Sequence, residues 1–119
     1  MIVYGIRNCD TVKKARAWLD TNNIAYEFHD YKTAGIDEKH LRAWLKQIDW
    51  QQLVNRSGMT WRKLSGEQRA KIIDDDSAIA LMLAQTSVIK RPLVEIGGKI
   101  ALLGYSADEY SNCLKNKQR

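Results

Sequence analysis

The chain has 119 residues, of which 45% are hydrophobic, and its formal net charge is +5. This length suits one compact domain with a single core and leaves little room for a second. No apolar run approaches the roughly 18 residues that a membrane span needs, and the first residues lack the basic-then-apolar pattern of a signal peptide. We therefore expect a single cytoplasmic domain over residues 1–119.

The basic excess is scattered along the chain rather than gathered in one block. Scattered charge favours a solvated surface over a nucleic-acid footprint, so we predict neither a nucleic-acid nor a membrane partner. It also suits small anionic partners, such as a carboxylate or an oxyanion. Nothing in the sequence demands more than a monomer.

The first part of the chain predicts a strand, a helix and a second strand. Ile2–Tyr4 is the first strand, and a helix follows over about Thr11–Asn22, where Asn22-Asn23 is typical of a helix end. The alternation in Tyr26–Tyr31 predicts the second strand. Asp37 then begins another helix.

The middle of the chain predicts short helices separated by loops. These are Trp50–Val54, Glu67–Ile73 and Ala78–Ala84, and Ser77 is the predicted N-cap of the last. We therefore expect a helical insertion over about residues 37–85.

The last part of the chain predicts a hairpin and a helix. Leu93–Ile96 and Lys99–Leu102 flank Gly97-Gly98, a two-residue turn signature. A final helix runs from about Ser106 to Leu114. The whole order predicts an α/β fold, a mixed sheet covered by helices, and resembles the thioredoxin-like plan.

Cys9 is the most informative residue for chemistry, because it lies between the first strand and the first helix. At such a position backbone N–H groups and the helix dipole favour a thiolate. The alternative is a small buried hydrophobe, since free cysteines are among the most buried residue types. Cys113, in the last helix, is predicted to pack, with a distant resolving thiol as its alternative. In a reducing compartment we expect two free thiols rather than a disulfide.

Other residue types give weaker indications. His29 and His40 share no metal-ligand spacing with the two cysteines, so no metal is predicted. Trp18 and Trp44 fall on apolar helix stripes, and we expect them in the core rather than in base stacking.

Five short segments together carry a family resemblance over nearly the whole chain. They are Cys9-Asp10-Thr11, Lys14–Leu19, Asn55-Arg56-Ser57, Lys90–Val94 and Leu103-Gly104-Tyr105. The sequence resembles the arsenate reductase (ArsC) and Spx family of thioredoxin-like proteins, and in particular its YffB-type branch.

The resemblance implies a set of site residues. Cys9 is the reactive cysteine, and Pro92, the single proline of the chain, faces it from a cis peptide bond before the third strand. Arg56 and Arg91 match two of the three arginines that hold the oxyanion in family arsenate reductases. The third falls near Gly104, which is not basic.

Both arginine assignments have alternatives. Arg91 is otherwise a surface cation or an ion-pair partner for a residue such as Asp30. Arg56 competes with its neighbours Arg62, Lys63 and Arg69, any of which is a candidate for the same role.

The resemblance also implies a function. Val12 stands where some Spx-like members have a second cysteine, which implies one-cysteine chemistry. Our leading interpretation is a glutathione-dependent thiol/disulfide reductase, with Cys9 as the nucleophile, glutathione as co-substrate and no tightly bound cofactor. The alternatives are a glutathione-dependent arsenate reductase and an Spx-like regulator that binds RNA polymerase.

Overall fold

A computed structural model describes residues 1–115 and divides the chain into two compact units. The first unit comprises Met1–Ala34 and the chain from Arg91 onward, and it contains the sheet. The second unit, Gly35–Lys90, is helical. The insertion predicted over about residues 37–85 falls in this second unit.

The first unit is built on a four-stranded mixed sheet. The strands are β1 Ile2–Gly5, β2 Glu27–Asp30, β3 Leu93–Ile96 and β4 Lys99–Leu103. Their order in the sheet is β2-β1-β3-β4, with β1 parallel to β2 and antiparallel to β3, and β3 antiparallel to β4. The α/β class and all four predicted strands are confirmed, with bounds that agree to within one residue.

The turn between β3 and β4 confirms the predicted hairpin. Gly97 and Gly98 have φ values of 58° and 79°. A type I′ turn requires positive φ at both central residues, which glycine adopts without steric cost.

The core of the first unit lies between one sheet face and the helices that pack on it. Helix α1, Asp10–Thr21, buries Val12, Ala15 and Leu19 at helical spacing. Asn22 is its C-cap and Asn23 has a φ of 56°, so the predicted helix end is confirmed. The core cluster consists of Val3, Ala15, Leu19, Val94, Leu102, Tyr110 and Leu114.

The end of the described chain is also helical. Helix α8, Ala107–Tyr110, is followed by a π-helical turn over Ser111–Lys115. The Ser106 hydroxyl oxygen accepts the backbone N–H of Glu109, 3.4 Å away, so Ser106 is the N-cap of α8. Cys113 is partly buried against the core cluster, in agreement with a packing role.

Helix α2, Tyr31–Ala34, belongs to the first unit and directly follows β2.

The second unit is a set of short helices. They are α3 Glu38–Leu45, α4 Trp50–Leu53, α5 Met59–Arg62, α6 Gly66–Ala70 and α7 Asp75–Ala84. Trp44 on α3 is fully buried, as predicted, and an ion pair between Arg42 and Asp76 at 2.8 Å joins α3 to α7.

The prediction that Ser77 caps α7 is wrong. The N-cap is Asp74, whose carboxylate accepts the Ser77 backbone N–H at 2.9 Å. The Ser77 hydroxyl oxygen in turn accepts the Asp74 backbone N–H at 3.1 Å. The reciprocal bonds form a capping box, so the helix begins one turn earlier than predicted.

No helix among residues 1–115 combines the length and the apolar character needed to cross a membrane.

Candidate functional site

The segments that carry the predicted site residues of the first unit, Cys9, Arg91 and Pro92, meet at one edge of the sheet. Because β1 and β2 are parallel, both end at this edge, where Gly5 lies opposite Asp30. Strand β3 is antiparallel and begins at the same edge, since Leu93 lies opposite Tyr4. The segment that leads to Cys9 therefore leaves the edge at which the Arg91-Pro92 segment enters.

Cys9 is the N-cap residue of α1, with extended backbone at φ −137° and ψ 124°. Its carbonyl accepts the Lys13 N–H at 2.9 Å, while its side chain forms no capping hydrogen bond. The side chain is half-buried, and the thiol is not in a disulfide. The first N–H groups of a helix attract negative charge. Cys9 thus begins a helix whose N-terminal end is electropositive, and the exposed Asp10 carboxylate is an opposing charge in the first turn.

Pro92 is buried beside this edge, and the Arg91-Pro92 peptide bond is cis, as predicted. The Pro92 carbonyl accepts the Gly104 N–H at 2.8 Å. This bond connects the start of β3 to the residue that follows β4.

Gly104 explains why no third cation stands at its position. It is buried with a φ of 85°, and its carbonyl accepts the Tyr110 hydroxyl at 2.7 Å. An L-residue in the left-handed region costs about 1–2 kcal/mol. An arginine here would be strained, so the backbone itself selects against a basic residue.

Arg91 is half-buried and lies near a cluster of aromatic rings on the sheet. The aromatic cluster consists of Tyr4, His29 and Tyr31, with ring centroids 4.8 Å apart for Tyr4 and His29, 6.3 Å for Tyr4 and Tyr31, and 6.0 Å for His29 and Tyr31. The Tyr4 hydroxyl donates to a Glu95 carboxylate oxygen at 3.4 Å. The positive charge of the Arg91 guanidinium favours a lower pKa of Tyr31 and so opposes the rise that burial causes.

Tyr31 and its neighbours are site features that the sequence analysis missed. The available signal was position, because Tyr31 ends the predicted second strand at the same edge as Cys9. The Asp30 carboxylate accepts the Lys32 N–H at 2.9 Å, which fixes the turn from β2 into α2. Asp30 is thereby engaged with the backbone of its own turn.

Two more arginines lie on the α1 side of the sheet. Arg16 places its guanidinium carbon 4.1 Å from the Phe28 ring centroid, and Arg7 lies 5.9 Å from the same ring. Arg7 belongs to the segment that leads to Cys9, so it adds positive charge to that segment. Sequence reasoning did not single out either residue.

Arg56 belongs to the second unit, where it is exposed in the turn between α4 and α5. The Asn55 side-chain oxygen accepts the backbone N–H of Ser57 at 3.3 Å, which shapes this turn. The assignment of Arg56 to the Cys9 site stays a prediction.

Across residues 1–115, no group of three or more His, Cys, Asp or Glu side chains is arranged to hold a metal ion.

Comparison with known proteins places this arrangement in a family. At 52% identity, a solved structure named YFFB protein superimposes with a TM-score of 0.87, covering 95% of this chain and 97% of its own. A solved structure of an arsenate reductase (ArsC) related protein from Brucella melitensis is 47% identical, with a TM-score of 0.78 over 96% of this chain and 93% of its own. An uncharacterised protein of Haemophilus influenzae is 43% identical over 108 residues, which are 91% of this chain and 93% of that protein.

The family match spans both units. The ArsC family model matches residues 4–113, which include Cys9, Arg56, Arg91 and Pro92. The sheet order, the cysteine at the start of the first helix and the proline before β3 thus occur in a chain that belongs to the ArsC family.

Proposed function

We propose that this protein is a glutathione-dependent thiol/disulfide reductase in which Cys9 is the single nucleophile. The observation that carries the proposal is the position of Cys9 as the N-cap of a 12-residue helix with a side chain that forms no cap bond. Cys113, by contrast, packs against the core cluster of the first unit. The two thiols therefore have different surroundings, and only Cys9 lies at the N-terminus of a helix.

The proposed reaction needs one cysteine and two thiol–disulfide exchanges. The Cys9 thiolate attacks the glutathione sulfur of a mixed disulfide, so a Cys9–glutathione disulfide forms and the other thiolate leaves. A reduced glutathione thiolate then attacks that disulfide. Oxidised glutathione is released and the Cys9 thiolate is regenerated. Each turnover therefore consumes one reduced glutathione, frees the other thiol of the mixed disulfide, and leaves the disulfide bond between two glutathione sulfurs.

The charges near the sheet edge support an anionic thiol as co-substrate. Glutathione carries carboxylates, and the planar guanidinium of Arg91 is suited to bidentate contact with such a group. Arg56 is the second cation in this proposal.

Arsenate reduction is the alternative within the same chemistry, with Cys9 attacking arsenate. Gly104 argues against it, because this chain has no arginine at the position of the third arginine that family arsenate reductases use, and the left-handed backbone there disfavours one. A missing charge-assisted contact to a bound anion corresponds to about a ten- to hundredfold weaker binding. We therefore expect arsenate turnover to be poor or absent.

A regulator of the Spx type is the alternative from a different class. Such a protein would bind RNA polymerase without turnover. Activity on glutathione disulfides in the absence of RNA polymerase separates the two functions.

A steady-state assay tests the proposal. Purified protein with reduced glutathione should reduce a glutathione mixed disulfide, the Cys9→Ser variant should lose this turnover, and the Cys113→Ser variant should retain nearly all of it. If Cys113→Ser is as damaging as Cys9→Ser, a two-cysteine mechanism replaces the proposed one. Efficient glutathione-dependent arsenate turnover would favour the arsenate reductase.

A further inference from the structure

Tyr31 is a buried tyrosine with an unsatisfied hydroxyl. The residue is 2% exposed, and its hydroxyl has no hydrogen-bond partner within the part of the chain that the structure describes. A buried polar group without a partner carries an unrecovered desolvation penalty. Tyr110, a fully buried tyrosine of the core cluster, shows the usual solution, since its hydroxyl donates to the Gly104 carbonyl at 2.7 Å.

The position of Tyr31 is fixed by its surroundings. It directly follows β2 at the sheet edge where the Cys9 segment leaves and the Arg91-Pro92 segment enters. Its ring is stacked near that of Tyr4, with centroids 6.3 Å apart, and lies edge-on to that of His29 at 6.0 Å. An aromatic side chain held in this way presents its hydroxyl at a defined point with little conformational freedom to lose on binding.

The Tyr31 hydroxyl carries a proton that it can donate. Burial, followed by the nearby Tyr4, raises the pKa of Tyr31 above its ordinary value, and Arg91 opposes this shift. The hydroxyl therefore stays protonated at neutral pH. The protonated Tyr31 hydroxyl is a hydrogen-bond donor, and so is the nearby Arg91 guanidinium. A carboxylate accepts hydrogen bonds from both kinds of group.

We propose that the Tyr31 hydroxyl is a substrate-binding group that donates a hydrogen bond to a carboxylate of the thiol substrate held at Arg91. This inference rests on the proposed thiol/disulfide function and specifies the chemical class of its substrate. Thiols and disulfides that carry a carboxylate are preferred over those that carry only an ammonium group. The penalty of the unsatisfied hydroxyl in the free protein is recovered when the carboxylate binds.

The test is the Tyr31→Phe variant with two disulfide probes. Oxidised glutathione carries carboxylates, whereas cystamine has a disulfide between two ammonium groups and no carboxylate. The second-order rate of Cys9 modification is measured with each probe for the unmodified protein and the variant. We expect Tyr31→Phe to slow the reaction with oxidised glutathione roughly 10- to 100-fold, the value of one hydrogen bond to a charged group, and to leave the cystamine rate unchanged.

Two controls separate binding from structure. Tyr26→Phe removes a half-buried hydroxyl that accepts from Arg16 Nε at 3.1 Å, and it should leave both rates unchanged. In thermal unfolding without substrate, Tyr31→Phe should keep or raise the melting temperature, because it removes an unsatisfied group. Tyr110→Phe should lower it, because the Gly104 carbonyl loses its donor.

The measured rates separate a failure of the role proposed for Tyr31 from a failure of the proposed function. Equal rates for Tyr31→Phe and the unmodified protein with oxidised glutathione would overturn the role of Tyr31 and leave the proposed function intact. A rate loss with both probes, or a lowered melting temperature, would assign Tyr31 a structural role instead. If the unmodified protein reacts with cystamine but not with oxidised glutathione, the carboxylate preference and the glutathione dependence fall together.

Discussion

Single residues at one sheet edge determine the chemistry that this protein offers. Cys9 begins α1 with a side chain outside the helix hydrogen bonds, whereas Cys113 is packed in the last turn. The Pro92 carbonyl accepts the Gly104 N–H, which connects the start of β3 to the residue that follows β4. The proposed nucleophile thus begins a regular element, and its surroundings are built from backbone geometry as well as from charge.

Replacing Arg91 should weaken the engagement of glutathione. In Arg91→Ala, one charge-assisted contact to a carboxylate is lost, which corresponds to roughly a 10- to 100-fold slower modification of Cys9 by oxidised glutathione. The control is Arg62→Ala, which removes an exposed positive charge from α5 of the second unit. Stopped-flow or mass-spectrometric rates compare the two variants. Equal losses would mean that only the net charge matters and that Arg91 has no specific contact.

A side chain at position 104 should lower the stability of the fold. In Gly104→Ala the added Cβ is forced into left-handed backbone at φ 85°, so we expect the free energy of unfolding to fall by about 1–2 kcal/mol. Gly66→Ala is the matched control, because Gly66 is helical and a Cβ there meets nothing within 4 Å. That substitution should stabilise by about 0.4–1 kcal/mol, and urea unfolding measures both changes. A neutral Gly104→Ala would remove the backbone explanation for the missing third cation.

The secondary-structure elements were predicted where short-range chemistry decides them. The Gly97-Gly98 turn and the Asn22-Asn23 helix end depend on φ preferences that neighbouring residues do not alter, and the structure confirms both. The predicted start of α7 is wrong because Asp74 and Ser77 are both good N-cap residues. The sequence does not show which of them is the N-cap and which is the N3 residue of a capping box. Helix α5 was missed, since one turn of Met59–Arg62 has no periodicity to detect.

The cap of α7 makes that helix sensitive to acid. The backbone N–H of Ser77, followed by its hydroxyl, lowers the pKa of Asp74 below its ordinary value. A lowered pKa in the folded state means that the stabilisation is present above the ordinary aspartate pKa of about 3.9 and is lost as the pH falls through the lowered value. Asp74→Ala should therefore reduce the urea midpoint at neutral pH, and this deficit should shrink in acid.

The neighbouring Asp75 supplies the control for that prediction. It lies in the same first turn, but its carboxylate accepts no helix N–H within the described residues. Asp75→Ala should produce a smaller deficit at neutral pH. A deficit for Asp74→Ala that is the same at neutral and acid pH would show that its carboxylate charge is not what stabilises the helix.

At the scale of the whole molecule, the sequence predicted the sheet and its core better than the site. The mixed sheet follows from hydrophobic period and turn residues, which are local signals. The site collects residues that are distant in sequence, such as Cys9, Tyr31 and Arg91, and only the strand register brings their segments to one edge. Tyr31 carries no motif, and its significance appears only with its burial and its unsatisfied hydroxyl.

The measurement that tests the central claim most directly is the site of glutathione attachment. The unmodified protein is incubated with oxidised glutathione, digested without reductant and mapped by mass spectrometry, and a second sample is then treated with reduced glutathione. We expect one glutathione per chain, on Cys9, and its complete release by reduced glutathione with the free thiol restored. Attachment at Cys113 alone, a Cys9–Cys113 disulfide, or no adduct at all would contradict it.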